Sequence, residues 1–280
     1  MRLIYNIYEM EQHISLLKKD KKIIGFVPTM GALHKGHVSL SVKARAENDC
    51  CICSIFVNPA QFNNKEDLNN YPRSLNADIK LLEQIKVDAV FIPSEEEMYT
   101  EPNTEKFDLG DLDSVMEGKF RPGHFIGVAI IVKKLFDLIK PDRAYFGEKD
   151  YQQFVIIKHL VKKFTMPVEI ISSPTTREDD GLAMSSRNIR LNGDERMIAP
   201  LIYKTLLEAK EKIMKQSVEE VKKWVEMQIS SCSLMKIEYF EVVDSETLIP
   251  VNYIERKGHY TACVAVYVGN IRLIDNIKIL

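Results

Sequence analysis

Between Ile23 and Ser173 the chain alternates short apolar runs with amphipathic stretches, and this constrains the fold more than any other feature. The runs IIGFV, CICSIFV, DAVFIP, RAYFG and VEIIS are short and apolar on both alternating faces, so they read as fully buried strands. Between them lie helical patterns at Val38–Glu47, Leu75–Ile85, Ile126–Leu138 and Tyr151–Phe164. Strand and helix in strict alternation predict an α/β domain, a Rossmann-like doubly wound parallel sheet. Pro59, Pro72, Pro93, Pro102, Pro122 and Pro141 mark connections. The polar, weakly periodic stretch Glu95–Lys119 reads as an excursion from the sheet.

After Pro174 the pattern changes. The segment PTTREDDGLAMSSRN is rich in turn formers. Asn192 with Glu195 then caps the run ERMIAPLIYKTLLEAKEKIM, and Ser217 with Glu220 forms a capping box ahead of VEEVKKWVEMQIS. Three strand-like runs follow, KIEYFEVVD, YTACVAVYV and IRLIDNIKI. Helices followed by strands, without alternation, predict a second, smaller α+β domain. The expected division is 1–174 and 175–280, with the boundary near Thr175.

A net charge of -2 gives no global electrostatic footprint for nucleic acid or an anionic membrane. No apolar run is long enough to span a bilayer, and the N-terminal stretch lacks the continuous apolar core of a signal peptide. Cytoplasmic residence is the expectation. Five cysteines are an odd count and a poor disulfide framework. Cys51 and Cys53 share a strand face with Cys50 beside them, which admits a metal or redox role but fits buried small hydrophobes better.

The chemistry concentrates where strands end. The first strong strand closes in PTMGALHKGHVSL, which places His34, Gly36 and His37 at a helix N-terminus. Two imidazoles and several free backbone N–H groups there favour an anion, and the expected ligand is a phosphate chain. A zinc half-site and two ordinary loop histidines are the competing readings, the first short of a ligand set. No Gly-Lys-Ser/Thr follows a glycine run, so this is not a Walker loop. The next strand ends at Asn58 and Gln61, whose amides can read both hydroxyl and carboxylate oxygens. Arg121 and His124 open a helix and offer either positive charge for pyrophosphate or a solvated loop. Gly147, Glu148, Lys149, Asp150 and Gln153 form another strand–turn–helix, with a cation and a ribose acceptor at the same sheet edge. Met184, Ser185, Ser186, Arg187 and Asn188 add two hydroxyls and a guanidinium suited to a triphosphate.

His-x-Gly-His after strand and turn is similar to the signature of the nucleotidyltransferase superfamily, which includes class I aminoacyl-tRNA synthetases. Taken with Asn58-Pro59-Ala60-Gln61-Phe62, Tyr71-Pro72-Arg73, Arg121-Pro122-Gly123-His124-Phe125, Phe146-Gly147-Glu148-Lys149-Asp150, Gly181–Asn188 and Arg272–Asn276, the chain resembles the pantothenate synthetase (pantoate–β-alanine ligase) family along nearly its whole length. The resemblance implies ATP-dependent joining of pantoate to β-alanine through an acyl-adenylate, giving pantothenate, AMP and pyrophosphate.

It also implies roles. Met30, Gly31, Ala32, Leu33, His34, Lys35, Gly36 and His37 would bind ATP, with Gly147, Glu148, Lys149, Asp150, Thr176, Met184, Ser185, Ser186 and Arg187. Thr176 stands where the family pattern has Val, so its base contact is expected from backbone. Gln61, Gln153 and Asn58 would bind pantoate. His37, His34 and Lys149 would be catalytic, His37 as proton donor. Mg²⁺ would bridge phosphate oxygens with few protein ligands, and a homodimer would form through the first domain. Two alternatives stay open, a nucleotidyltransferase that keeps the nucleotide in its product and a binding module without catalysis.

Overall fold

A computed structural model describes residues 1–99 and 107–280. Pro102 and part of the excursion at Glu95–Lys119 lie outside the described residues. Strands β1 (Arg2–Ile4), β2 (Ile24–Thr29), β3 (Cys50–Ile55), β4 (Ala89–Phe91), β5 (Arg143–Gly147) and β6 (Glu169–Ser173) form one sheet, ordered β1-β4-β3-β2-β5-β6. Every pair is parallel. Helices Lys35–Glu47, Leu75–Gln84, His124–Ile139 and Tyr151–Lys163 lie within three residues of the expected bounds. Strand β3 is buried at every position, as its unbroken apolar run requires.

Strand β1 is an addition the sequence reading lacks. It is three residues long, and it runs directly into the helix Ile7–Lys19, whose periodicity dominates the window. Its pairing with β4 buries Ile4 completely.

The consequence for function is a crevice. Strand β2 pairs with β3 on one side and β5 on the other, so the connections leave in opposite directions from this point. Open α/β sheets bind ligands outside the carboxyl ends of strands at such a reversal. The turn with both histidines follows β2, and the turn with Lys149 follows β5.

Beyond Ser173 lie helices Gly193–Ile198, Leu201–Ile213 and Val218–Ser230, then β7 (Met235–Asp244), β8 (Tyr260–Val268) and β9 (Ile271–Lys278) in an antiparallel sheet. Both capping boxes form, Asn192 with Glu195 and Ser217 with Glu220. The single helix expected after Asn192 is instead two. Pro200 lacks an N–H and its ring obstructs the preceding turn, so the helix breaks there. Each unit has its own apolar core, which supports our proposal of domains at 1–174 and 175–280. A smaller cluster containing Tyr151, Val155, Val243 and Leu248 joins them. Beside it Arg272 grips the buried Glu117 with two bonds of 2.8 Å.

Cys50, Cys51 and Cys53 are buried free thiols, and burial pushes Cys50 up to about 12. They pack as small apolar side chains. Among the described residues no three His, Cys, Asp or Glu side chains group as a metal cage.

Candidate active site

The turn after β2 is held by its own neighbours. Gly31 and Ala32 both take positive φ, 79° and 48°, and for Ala32 that conformation is strained. What stabilises it is Asp78, a carboxylate 2% exposed on the helix Leu75–Gln84. It accepts from the N–H of Ala32 at 2.9 Å and of Leu33 at 2.8 Å. Gly31 N–H donates to Thr29 Oγ1 at 3.2 Å. The expectation of several free N–H groups is therefore corrected, because protein acceptors already occupy the amides of Gly31, Ala32 and Leu33. Gly31, Ala32, Leu33 and Lys35 do not line the cavity, and they shape the turn behind it.

The imidazoles complete the arrangement. His34 caps the helix Lys35–Glu47, its Nδ1 accepting from Gly36 N–H at 3.1 Å. His37 Nδ1 accepts from His34 N–H at 3.3 Å. Each ring accepts at Nδ1, so each carries its proton on Nε2, and the rings lie 4.1 Å apart by centroid. A Cβ at Gly36 would come within 2.9 Å of the His34 ring, so the cap requires glycine there. Burial lowers His34 to about 4, helped by the Lys149 cation, and lowers His37 to about 3, helped by His34 and Lys149. Both rings are neutral near pH 7.

That neutrality has a stability consequence. The ordinary histidine value is 6.5, and His124 is also lowered to about 4, mainly by burial. Below about pH 6.5 the unfolded chain binds more protons than the folded one, so stability is lost as pH falls toward the folded values. Each group costs about 1.4 kcal/mol per pH unit in that window. The melting temperature should therefore drop between pH 7 and pH 5. A His34→Asn/His37→Asn variant should drop by less, and an equal drop would show that neither ring is held neutral.

On the facing side, Lys149 emerges from the turn after β5 with its side chain 18% exposed, its Nζ 3.8 Å from Asp150 Oδ1. Gly147, Lys149, Asp150 and Gln153 line the cavity with His34, Gly36 and His37. Glu148, expected there with them, does not line it. Its carboxylate turns away to pair with Lys278 at 2.7 Å.

Met30 and Gln61 form the floor. Asn58 borders the cavity too, but it is 1% exposed and its polar atoms are already engaged by protein groups. Its Nδ2 donates to Gly127 O at 3.0 Å and Gln61 Oε1 at 3.2 Å, and its Oδ1 accepts from Tyr99 Oη at 2.5 Å. The turn of Asn58 sits this close to the helix His124–Ile139 only because residue 127 is glycine, where a Cβ would lie 2.2 Å from Ala60 O. Asn58 thus orients Gln61. With Oε1 occupied, Gln61 Nε2 is left to donate, and it lies 3.1 Å from Met30 Sδ.

The loop from the second unit forms the opposite wall with Thr176, Met184, Ser185, Ser186 and Arg187. Ser186 Oγ donates to Ala32 O at 2.9 Å, joining the loop to the histidine turn. Ser185 Oγ accepts from Arg187 N–H at 3.2 Å. Arg187 pairs with Asp67 at 2.6 Å, and Arg190 shares that carboxylate at 3.1 Å. Thr176 O accepts from Met184 N–H at 3.0 Å, and its hydroxyl lies 3.3 Å from Ser39 Oγ.

Arg121 and His124 stay outside this cavity. Arg121 faces Glu117 at 3.5 Å, and His124 Nδ1 meets Gln61 O at 2.7 Å. The apolar wall of Val128, Ile131, Val132 and Leu135 is absent from the sequence expectations, because the apolar face of an amphipathic helix reads as core. Also absent are Asp78 and Ser39, whose types carry no distinctive signal on a helix.

The chain matches the Pantoate-beta-alanine ligase family across residues 2–278. It is 46% identical over 278 residues to a pantothenate synthetase of Porphyromonas gingivalis, covering 99% of each chain. With that of Christiangramia forsetii it shares 51% over 270 residues, 96% of this chain and 95% of the other. The crystal structure of pantothenate synthetase from Thermus thermophilus superposes with a TM-score of 0.92 at 40% identity, covering 100% of this chain and 99% of that one. A Francisella tularensis pantoate-beta-alanine ligase, complexed with beta-gamma ATP and beta-alanine, gives 0.82 at 38% identity, covering 100% and 98%. With the match running the full length and the histidine turn, lysine turn and serine–arginine loop converging on one cavity, the chain belongs to the pantoate–β-alanine ligase family.

Proposed function

We propose that this chain joins pantoate to β-alanine at the expense of ATP, producing pantothenate, AMP and pyrophosphate. One observation carries the reading. Two neutral imidazoles with Nε2 donors and the Lys149 ammonium meet at the sheet's reversal point, opposite Ser185–Arg187, above a floor whose amide donates.

The chemistry follows from what a carboxylate lacks. An amine cannot expel oxide from it, so activation comes first. A pantoate carboxylate oxygen attacks the α-phosphorus, the bridging P–O bond breaks, and pyrophosphate leaves with the electron pair. The β-alanine amine then adds to the activated carbonyl, the C–O bond to AMP breaks, and the amine proton leaves to solvent. No protein nucleophile is required, so positioning and charge stabilisation dominate.

His34 and His37 act through Nε2–H toward phosphate oxygens. With its ring neutral, His37 contributes a hydrogen bond rather than a proton. Lys149 supplies the positive charge where negative charge grows on phosphorus. Of the two hydroxyls, Ser186 is committed to Ala32 O, which leaves Ser185 as the donor toward phosphate. Arg187 adds its guanidinium at the same wall. Gly147 and Asp150 seat the ribose, and the backbone at Thr176 with Met184 meets the base. Gln61 and Gln153 hold pantoate oxygens against the apolar wall of Val128 and Val132, which suits its branched carbons. Mg²⁺ would enter with the nucleotide and would neutralise part of the charge on its phosphates.

A homodimer and cytoplasmic residence belong to the same proposal, and light scattering tests the first. No helix of the described residues is long and apolar enough to cross a membrane.

Incubation with ATP, Mg²⁺, pantoate and β-alanine should yield pantothenate and free AMP in equal amounts. A product that retains the nucleotide would overturn the ligase reading. Gln61→Ala and Gln153→Ala should each weaken pantoate by about 1.5–3 kcal/mol, the range for a hydrogen bond to a charged group, with little effect on ATP. Calorimetry reads both affinities, and parallel losses would contradict the assignment.

A further inference from the structure

We infer that Asn276, on β9 of the second unit, is a positioning residue for Lys149. Asn276 Nδ2 lies 2.8 Å from Glu148 O and 2.9 Å from Lys149 O. Both amide hydrogens are thus given to consecutive carbonyls of the turn that launches the lysine. The residue is 7% exposed, so water offers these carbonyls little alternative. Only an NH₂ group can face two carbonyl oxygens at once, which fixes the orientation of the amide.

The turn needs this support. Glu148–Asp150 is a single 3-10 turn with no side-chain cap of its own. Across the interface β9 braces it twice, through Asn276 and through Lys278 on Glu148 at 2.7 Å. Asn276 is itself anchored. Its N–H donates to Asp275 Oδ1 at 2.8 Å, and Arg177 grips that carboxylate at 2.6 and 2.9 Å. The Arg177 guanidinium in turn stacks 3.4 Å above the Tyr203 ring. A rigid line therefore runs from the helix Leu201–Ile213 through Arg177 and Asp275 to the backbone beneath Lys149. The second unit acts on the site from behind as well as through the loop Ser185–Arg187.

The inference rests on the reading of Lys149 as the cation of adenylation, and the test separates the two. Single-turnover adenylation is followed with ATP, Mg²⁺ and pantoate, without β-alanine. Asn276→Ala should slow it roughly tenfold to a hundredfold, the scale of a reacting group displaced by about an ångström. ATP affinity should stay near native, which also reports an intact fold. Asn276→Asp, which turns two donors into acceptors facing carbonyls, should slow it at least as much. Asn276→Ser, a milder variant that keeps one donor, should fall between native and Ala. In a Lys149→Met background Asn276→Ala should add little, since both changes act through one group. An equal further loss in that background, or native rates for Asn276→Ala, overturns the inference alone. Native rates for Lys149→Met overturn the reading beneath it.

Discussion

His37→Ala should lower the rate of pantoyl-adenylate formation by roughly 10²–10³, the cost of removing one pre-aimed transition-state donor. The His37 Nδ1 is committed to His34 N–H and the ring's pKa is lowered to about 3, so Nε2–H is a fixed donor that needs no protonation step. Accordingly, the rate between pH 6 and pH 8 should show no titration belonging to this residue. Substitution also frees His34 N–H, but that group lies beside the open cavity where water can replace the lost acceptor, so the fold should survive. Rapid-quench measurement of the first turnover checks the prediction. A rate near native would remove His37 from the chemistry and leave it a helix-capping residue.

Lys149→Met should have an effect of the same order, and on rate more than on ATP affinity. The Lys149 side chain is 18% exposed, in a site where water competes weakly. A preorganised charge there gains most where charge grows, in the transition state. Methionine keeps the length and apolar stem, so loss of packing is small. An independent signature accompanies the rate. The Lys149 charge is one of the causes holding both histidines down, so in Lys149→Met both should titrate at higher pH, readable by NMR of the imidazoles. Unmoved histidine titrations with a native rate would place the ammonium away from the cavity.

The sheet was legible because its central strands are buried on both faces and its strands are separated by amphipathic helices. That pattern survives in sequence even without partners. Strand β1 was not, since three residues beside a strong helix carry no period. Pro200 was visible, but the periodicity running through it concealed the break it imposes.

The site divided in the same way. His34, His37, Gln61, Lys149, Gln153 and Ser185–Arg187 were readable because reactive types sit at strand ends and in the loop, and the structure brings them to one cavity. What sequence could not give is where hydrogen bonds go. Asn58 looks like a ligand until its amide is found bonded to Gly127 and Gln61. Asp78 looks like a surface helix residue until its carboxylate is found under Ala32 and Leu33. The bonds of Asn58 to Gly127 and of Asp78 to Ala32 and Leu33 reach across dozens of residues and are decided by packing alone.

Pantoate is expected to be activated in this cavity before the amine takes part. The most direct measurement is exchange of labelled pyrophosphate into ATP with pantoate and Mg²⁺ present and β-alanine absent. Exchange should depend on pantoate, need no β-alanine, and fall with His37→Ala and Lys149→Met in step with single-turnover adenylation. Exchange that requires β-alanine, or that proceeds without pantoate, would contradict this expectation.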